Sequence, residues 1–512
     1  MITPDNKGLF HPAAESDIIE LIQYAVQNKL QVRVQGAAQS VSGAVFADAG
    51  NNINMELDQM GSVVFDDTNM QVIVGAGCNL GFNPYDPSGT SKLENSLFYK
   101  LNQHGWSIPN VPDAIHQSVG GFISTGSSGP SMIHSFDECI VSITIIDGTG
   151  KISTFTKSAN LDDNFYAVGV AMGLLGIIIS VTLKCVPTFN IIGSQATTLI
   201  DDCSYDFLGE GRSSKPSLQD FMSNTEYTRM LWWPYRTVQR VITWQAKTMQ
   251  PADYTEQTGT AQDFKPKPYE PVFPKIAGSA LPAEATASEG YKLIGTWPKW
   301  LYSLLGNSKE EPVIENLMDT ISPYLYPLML NMFFPCDSDK KPAQQFWDNW
   351  LGSLPMDKIE FSNQLFDMCY SEIWVNMNDA QKLVSTFQNH YQSAGYAATW
   401  VYCVEVLAAK QSNFWMSPGY GQDSIRISIM WWLDNTEQPM EYYQQFWDLL
   451  KQNNIAFRLH WGKYLPPPTS NEGATYLQQQ YPKWNNFIAL RKQMDPNNIF
   501  LNSYWKTQLD IS

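Results

Sequence analysis

The residues most suited to chemistry are glycines and hydroxyl side chains in one stretch, HGWSIPNVPDAIHQSVGGFISTGSSG, which runs from His104 to Gly129. Its ten last residues contain four glycines: Gly120, Gly121, Gly126 and Gly129. Glycines this dense leave backbone N–H groups sterically free to point at one anion, as in phosphate-binding loops. The pattern predicts an anion-binding loop rather than a core helix. A long flexible turn without a ligand is the competing interpretation.

A second candidate for chemistry is a carboxylate in an apolar segment. Glu405 lies in the strand-like run Trp400-Val-Tyr-Cys-Val-Glu-Val-Leu. A charge among apolar residues costs free energy, and such a group often has a shifted pKa and a functional role. We interpret Glu405 as a base or hydrogen-bond acceptor. The competing interpretation is an edge-strand carboxylate exposed to water.

Length and composition limit the possible functions. A chain of 512 residues is too long for one core and predicts two or three domains. The net charge of −17 argues against nucleic acid and anionic membranes as partners. No apolar run is long enough to span a bilayer and no signal peptide is evident, so we predict a soluble cytoplasmic protein. Seven scattered cysteines suit a reducing compartment, and six histidines without metal-ligand spacing predict no metal centre.

Alternating helices and strands surround these residues in the first 190 positions. A capping-box-like start and an apolar stripe predict an amphipathic helix over residues 17–28. The strand Gln31–Gln35 then stops at the turn Gly36-Ala-Ala-Gln-Ser40, which again offers backbone donors to an anion. Further strands are predicted at Ile53–Leu57, Val63–Phe65, Gln71–Val74, Glu138–Ile146, Lys151–Phe155 and Ile177–Lys184. The pattern predicts an α+β domain over residues 1–190.

The middle and the end of the chain differ from this first part. We predict a second α+β domain over residues 191–455, built on a large antiparallel sheet, with an irregular surface excursion over 250–290. Its predicted strands are Arg229–Pro234, Arg240–Ala246, Trp400–Leu407 and Ser424–Trp432, and its predicted helices are Ala343–Gly352 and Asp379–Gln392. Residues 456–512 change character again and contain an amphipathic helix near Trp484–Met494.

Taken together, these segments resemble the FAD-binding domain of the vanillyl-alcohol oxidase / p-cresol methylhydroxylase (PCMH) superfamily, and within it the aldonolactone and alditol oxidases. The matching motifs are Val34-Gln-Gly-Ala-Ala-Gln-Ser40, Val74-Gly-Ala-Gly77, Ser118-Val-Gly-Gly-Phe-Ile-Ser-Thr-Gly126, Asp147-Gly, Gly173-Leu-Leu-Gly-Ile-Ile-Ile-Ser-Val-Thr-Leu-Lys184, His460-Trp-Gly-Lys463 and Asp495-Pro-Asn-Asn-Ile-Phe500. The resemblance implies an α+β fold with a PCMH-type two-subdomain FAD-binding domain over 1–190. A substrate-binding cap domain over 191–455 follows, and residues 456–512 return to complete the FAD-binding domain.

The resemblance implies FAD as the cofactor. The residues expected to bind it are Gly36, Ala37, Ala38, Gln39, Ser40, Pro112, Ser118, Gly120, Gly121, Ser124, Thr125, Gly126, Ser128, Gly176, Ile177 and Lys463. Gln39 stands where the family often has a histidine bonded covalently to the flavin 8α-methyl group, so we predict non-covalent FAD. A turn residue that caps backbone groups is the competing role for Gln39. Ser128 occupies the region of a second family histidine.

The implied reaction is the oxidation of a CH–OH group of an alcohol, sugar or lactone to a carbonyl, with hydride transfer to flavin N5 and O₂ reduced to H₂O₂. Glu405, Lys463 and His460 are the expected catalytic residues, although a buried structural histidine is the usual default for His460. Pro112 aligns near the flavin C4a–N5 edge, where oxidases of the family carry Gly or Pro, and this favours O₂ as the acceptor. His116 and His134 are secondary candidates.

The sequence leaves one doubt about the substrate and three alternative functions: an oxidase of a bulky apolar alcohol, a dehydrogenase and a flavin-free binding protein. The family's Glu-x-Arg pair is here Glu405-Val-Leu407, without the arginine, which puts a lactone or small polyol in doubt. Leu231-Trp-Trp-Pro-Tyr235 resembles the substrate domain of flavin-linked sterol oxidases, which suggests a bulky apolar alcohol. A dehydrogenase that uses a cytochrome or quinone, or a flavin-free binding protein, would share the fold.

Overall fold

The computed structural model describes residues 2–511 apart from 87, 213, 235–237, 271–319, 321–326, 328–329, 332–333, 340–341, 357–367, 394–402, 433–438 and 468–470. Much of the predicted excursion over 250–290 and the start of the predicted strand at Trp400 lie outside the described residues. Within the described part of the chain, no helix combines the length and apolar character needed to cross a membrane.

The strands are, in chain order, β1 Leu9–Phe10, β2 Val32–Gln35, β3 Ile53–Glu56, β4 Val63–Asp66, β5 Gln71–Gly75, β6 Trp106–Ser107, β7 Ile140–Ile146, β8 Ile152–Thr156, β9 Ile177–Lys184, β10 Val186–Pro187, β11 Asn190–Leu199, β12 Tyr227–Trp233, β13 Arg240–Thr248, β14 Gln344–Asn349, β15 Met368–Asn376, β16 Val404–Ala409, β17 Ser424–Trp432 and β18 Phe457–Leu459.

The α-helices among the described residues are α1 Glu15–Asn28, α2 Ser42–Val45, α3 Leu97–Gln103, α4 Val119–Thr125, α5 Phe136–Cys139, α6 Phe165–Val168, α7 Leu218–Asn224, α8 Trp350–Ser353, α9 Ala380–Ser393, α10 Pro439–Gln452, α11 Asn471–Gln480, α12 Trp484–Met494 and α13 Ser503–Leu509.

Three sheets form the N-terminal part of the fold, and the smallest is the antiparallel pair of β6 and β10. Strands β1, β3 and β2 pair in parallel, in that order, and β4, β5, β9, β7 and β8 form an antiparallel sheet. Helix α1 buries the apolar stripe formed by Ile18, Leu21, Ile22 and Ala25, at the helical spacing that predicted it. The predicted α+β architecture of this part is confirmed.

A large antiparallel sheet dominates the rest of the molecule. Its eight strands lie in the order β14-β11-β13-β12-β16-β17-β15-β18. Strand β11 enters it at Asn190, and β18 ends it at Leu459. The large antiparallel sheet was predicted and is confirmed, whereas the domain limits at 190 and 455 stay a prediction.

Two elements correct the sequence-based prediction. The glycine stretch contains helix α4 instead of continuous loop, because Val119, Phe122 and Ile123 are buried on one side of it. That burial offsets the roughly 1 kcal/mol that each glycine costs in a helix. The predicted helix over 343–352 is wrong, since residues 344–349 form β14 along the edge of β11 and only then does α8 begin.

Backbone hydrogen bonds connect the last 20 or so residues to the N-terminal part of the fold. The N–H of Val32 donates to the carbonyl of Ile499 at 2.7 Å, and the N–H of Gly148 donates to that of Met494 at 2.8 Å. The buried guanidinium of Arg33 donates to the carbonyl of Phe500 at 3.1 Å. Strand β2 and the hairpin turn after β7 are therefore completed by the C-terminal segment.

Candidate active site

A cavity of about 590 Å³ lies between the turn 36–40, helix α4 and one face of the eight-stranded sheet. This volume is within the ~300–1,000 Å³ typical of ligand sites. The predicted residues that line it are Gly36, Ala37, Ala38, Gln39, Ser40, Pro112, Ser118, Gly120, Gly121, Ser124, Thr125, Ser128, Gly176, Ile177, Glu405, His460 and Lys463. Gly126 is outside the lining and instead ends α4 in the left-handed region, at φ +75°.

The turn 36–40 presents backbone donors to the cavity. Within the described residues, the amides of Ala37, Ala38, Gln39 and Ser40 have no protein acceptor. Ala38 has a φ of +51°, and a left-handed residue makes successive N–H groups converge on one point. A Cβ atom on Gly36 would lie 2.1 Å from Ser118 Oγ, so only glycine lets the turn approach α4 this closely. The turn therefore fits an anionic group such as a pyrophosphate.

Helix α4 leaves room for a ligand in the cavity but offers it no free backbone N–H donor at residues 119–121. The N–H groups of Val119 and Gly120 already donate to the carbonyls of Cys78 and Ala76, at 2.8 and 2.9 Å. The N–H of Gly121 donates to Ser118 Oγ at 3.3 Å. The free donors expected in this stretch are thus absent from residues 119–121. Among the residues that the structure describes, the only close neighbour of a Cβ on Gly121 would be Ser118 Oγ, at 3.1 Å, so a side chain there would project into the cavity.

The sheet register brings charged side chains of three neighbouring strands to the cavity. Glu405 on β16 pairs with Ser428 on β17, which pairs with Glu372 on β15. Leu407 on β16 is likewise the direct cross-strand partner of Arg426 on β17. Since side chains alternate between the faces of a strand, all of these residues share one face.

Glu405 is held in a buried ion pair on this face. It is 8% exposed, and its Oε1 accepts a hydrogen bond from Arg229 Nε at 2.7 Å. Strand β16 lies between β12 and β17, so the carboxylate is in the middle of the sheet. The competing interpretation of an edge-strand carboxylate in water is therefore wrong.

Glu372 is a second buried carboxylate in the cavity lining. Its Oε1 accepts a hydrogen bond from Trp374 Nε1 at 2.6 Å and lies 3.7 Å from Arg426 Nη1. Burial alone would raise the pKa of Glu372, but nearby positive charge and the Trp374 bond hold it below its usual value. At neutral pH this positive charge belongs to Arg426 and Lys463, because His460 is then neutral.

Lys463 connects the sheet face with the turn. Its Nζ donates to the carbonyl of Gln39 at 3.3 Å and lies 4.2 Å from the ring centre of Tyr370. Burial lowers the pKa of Lys463 to about 8, although Glu372 and Glu405 oppose the shift. The ammonium group is therefore positioned in the cavity with a pKa close to neutrality.

His460 is tied into the protein at both ring nitrogens. Its Nδ1 accepts the N–H of Gly462 at 3.1 Å, which leaves the proton on Nε2 to be donated to Ser127 Oγ at 2.9 Å. Burial lowers the pKa of His460 to about 4, so the ring is neutral at pH 7. This arrangement suits a positioning residue better than a general base.

The remaining candidates divide between the cavity and its surroundings. Pro112 and His116 line the cavity, whereas His134 is outside the lining and its Nε2 lies 2.9 Å from Glu226 Oε1. Gln39 Nε2 donates within the turn, to the carbonyl of Ala37 at 3.2 Å. Sequence reasoning missed the charged or polar residues Arg229, Glu372, Arg426, Tyr370 and Ser127. The rule that identified Glu405, a charge within an apolar strand, would also have found the first three.

Comparison with known proteins gives two family matches. Residues 7–82 match the model of an FAD binding domain, and residues 358–508 match that of D-arabinono-1,4-lactone oxidase. The chain is 24% identical to the L-gulonolactone oxidase of Bos taurus over 97% of this chain and 93% of that protein. It is 22% identical to the L-gulono-1,4-lactone dehydrogenase of Mycobacterium tuberculosis over 98% of this chain and 96% of that protein.

A solved structure has the same fold. The cholesterol oxidase of B. sterolicum superposes with a TM-score of 0.70 over 98% of this chain and 94% of that one, at 13% identity. This likeness confirms the predicted fold. The matched FAD binding domain over residues 7–82 confirms the prediction of FAD as the cofactor.

Proposed function

Because the chain belongs to the vanillyl-alcohol oxidase / p-cresol methylhydroxylase superfamily of FAD-dependent oxidoreductases that act on CH–OH donors, we propose that it is an oxidase of a hydroxylated small molecule such as a sugar lactone. In this reaction the CH–OH group loses two electrons and two protons to become a carbonyl, and O₂ gains them to become H₂O₂. The observation that carries the proposal is the convergence of Glu405 and Lys463 on the cavity that also holds the anion-binding turn.

The residues of the turn and of α4 would hold the cofactor. The amides of Ala37 to Ser40 suit its pyrophosphate, and Gly120 and Gly121 leave room beside it. When bound, FAD supplies the two-electron acceptor. Gln39, which replaces the family's histidine, supports a non-covalent complex.

Glu405 is proposed to accept the proton of the substrate hydroxyl. Its hydrogen bond to Arg229 orients the carboxylate. Lys463, which also lines the cavity, is proposed to offset negative charge that gathers as the alcohol is oxidised. His460 would keep Ser127 and the segment that carries Lys463 in place.

Oxygen as the acceptor distinguishes this proposal from a dehydrogenase. Pro112 lines the cavity and supports an oxidase through its position in the family alignment.

The test is a screen of alcohols, sugars and lactones for H₂O₂ formation, run in parallel with anaerobic dye reduction. We expect stoichiometric peroxide in air, and Glu405→Gln as the inactive control. Turnover only with a dye or cytochrome would favour the dehydrogenase, and purified protein without a flavin absorbance band would contradict both.

Two finer points also stay proposals. A cytoplasmic location is supported by the scattered cysteines, which suit a reducing compartment. This support does not come from a targeting motif. The second candidate function, oxidation of a bulky apolar alcohol, is supported by the fold shared with cholesterol oxidase.

A further inference from the structure

We propose that Tyr370 is a positioning residue whose ring face holds the ammonium group of Lys463 in its charged form beside the cavity. This inference rests on the proposed function, in which that charge promotes the oxidation, and it names the side chain that maintains the charge. Both residues line the cavity, and Lys463 Nζ lies 4.2 Å from the centre of the Tyr370 ring. A cation within about 6 Å of a ring centre is attracted by the negative face of the π-system.

The contact between Tyr370 and Lys463 is the closest of its kind among the described residues. The other lysine and arginine groups that face an aromatic ring lie between 5.1 and 5.8 Å from the ring centre. Attraction to a ring quadrupole weakens faster with distance than attraction between two charges. This pair is therefore the one in which the ring contributes most to holding the cation.

The carboxylates on the cavity face of the sheet are already engaged by arginines. Glu405 Oε1 accepts a hydrogen bond from Arg229 Nε at 2.7 Å, and Glu372 Oε1 lies 3.7 Å from Arg426 Nη1. Both carboxylates favour the charged form of Lys463 through space. Among the described residues, however, neither forms an ion pair with its ammonium group.

The other groups around the ammonium supply little counter-charge. Lys463 Nζ donates to the carbonyl of Gln39 at 3.3 Å, and the turn 36–40 contains no charged side chain. His460, in the same segment as Lys463, is neutral at pH 7. Cys369 on β15 also acts on Lys463, but a thiol is normally protonated at pH 7. The aromatic ring is thus a main direct partner of the ammonium.

The charge of Lys463 is for this reason sensitive to the ring. Burial lowers the pKa of Lys463 to about 8. Loss of one favourable contact would lower the pKa further, toward about 7, and leave the group partly neutral near physiological pH. A ligand in the cavity excludes water, and a cation–π contact strengthens when water leaves. Tyr370 therefore contributes most when the cavity is occupied.

Variants at position 370 separate the ring face from the hydroxyl group and from packing. Tyr370→Phe keeps the ring face, whereas Tyr370→Leu removes it. Pentafluorophenylalanine incorporated at position 370 keeps the shape of the ring but withdraws electron density from its face, and it also serves if Tyr370→Leu does not fold. Leu407→Ala is the matched control, because it enlarges the same cavity from β16, two strands away from Tyr370.

The experiment measures the pKa of Lys463 in the FAD-loaded protein by competitive labelling with acetic anhydride across pH, with mass spectrometry of the peptide that contains Lys463. We expect an inflection near pH 8 in wild type, Tyr370→Phe and Leu407→Ala. Tyr370→Leu and the fluorinated ring should lower it by about one pH unit. In these two proteins, anaerobic flavin reduction should be roughly 5-fold slower than in wild type at pH 8. At pH 6, where Lys463 is charged in every variant, the rates should agree within about 2-fold.

Each outcome decides the inference separately from the proposed function. An unchanged pKa of Lys463 in Tyr370→Leu or with the fluorinated ring, or an equal fall in Tyr370→Phe, would overturn the inference and leave an oxidase intact. Reduction that is equally slow at pH 6 and pH 8, with an unchanged pKa, would also overturn it, because Tyr370 would then serve packing alone. A lower pKa with an unchanged pH dependence of reduction would support the inference and contradict the proposed role of Lys463. Protein that oxidises no substrate would contradict the proposed function, and the labelling would still decide the inference.

Discussion

At the scale of single residues, Glu405 is expected to control the chemical step rather than cofactor binding. Glu405→Gln can still accept the hydrogen bond from Arg229, so the fold and the bound FAD should persist. The loss of a general base should slow flavin reduction by roughly 100-fold or more. Anaerobic stopped-flow absorbance measures this rate directly. Reduction at the wild-type rate would remove Glu405 from the catalytic residues.

Lys463 is expected to give the reaction a pH dependence. With a pKa of about 8, it is charged below that pH and loses its charge as the pH rises through it. If the charge promotes oxidation, the rate of flavin reduction should fall above about pH 8. Lys463→Met should be slow at every pH and should have a lower flavin reduction potential, since a positive neighbour favours the anionic reduced form. A rate that rises through pH 8 in wild type would contradict this role.

At the scale of elements, the space beside α4 gives a graded test of the cofactor site. Gly121→Val should abolish FAD binding, because its branched side chain would enter the cavity while the protein around it still fits. Gly121→Ala adds only a methyl group near Ser118 and should retain part of the FAD. Bound flavin is measured by absorbance after gel filtration, with circular dichroism to verify the fold. Full occupancy in Gly121→Val would argue against this location of the cofactor.

Elements with a clear local pattern could be predicted from sequence. The apolar stripe of α1, the alternating sequence of β2 and the apolar run of β9 are local patterns that the chain itself specifies. Helix α4 was missed because tertiary burial of its apolar side outweighed the glycines. Strand β14 was missed because the adjacent edge of β11, about 150 residues earlier, decided its conformation.

The candidate site was predictable only in part, for a related reason. Glu405 stood out as a charge in an apolar run, but its partner Arg229 lies on a strand more than 170 residues away. The pairing of Leu407 with Arg426 likewise depends on sheet register. Residues joined across strands carry no common local signal, so the sequence could suggest the acid but not the groups that orient it.

At the scale of the whole molecule, the mode of cofactor attachment can be tested directly. Gln39 has no nucleophilic ring nitrogen for an 8α-histidyl bond, and its side chain is bonded within the turn. Heat or acid precipitation should therefore release FAD into the supernatant. Absorbance of the supernatant and pellet measures the partition. A pellet that stays yellow would contradict non-covalent binding and require another attachment residue.

The bonds from the C-terminal segment to β2 and the hairpin turn also bear on how the protein is made. On the ribosome, residues 32–35 emerge long before their partners at 499–500, although domains commonly fold in order from the N-terminus. The turn 36–40 likewise gains a contact only after Lys463 has been synthesised, because Lys463 Nζ donates to the carbonyl of Gln39. The hydrogen bonds that complete β2 and the contact between Lys463 and the turn 36–40 can therefore form only after residues 463–500 have been synthesised, so the anion-binding turn is completed late.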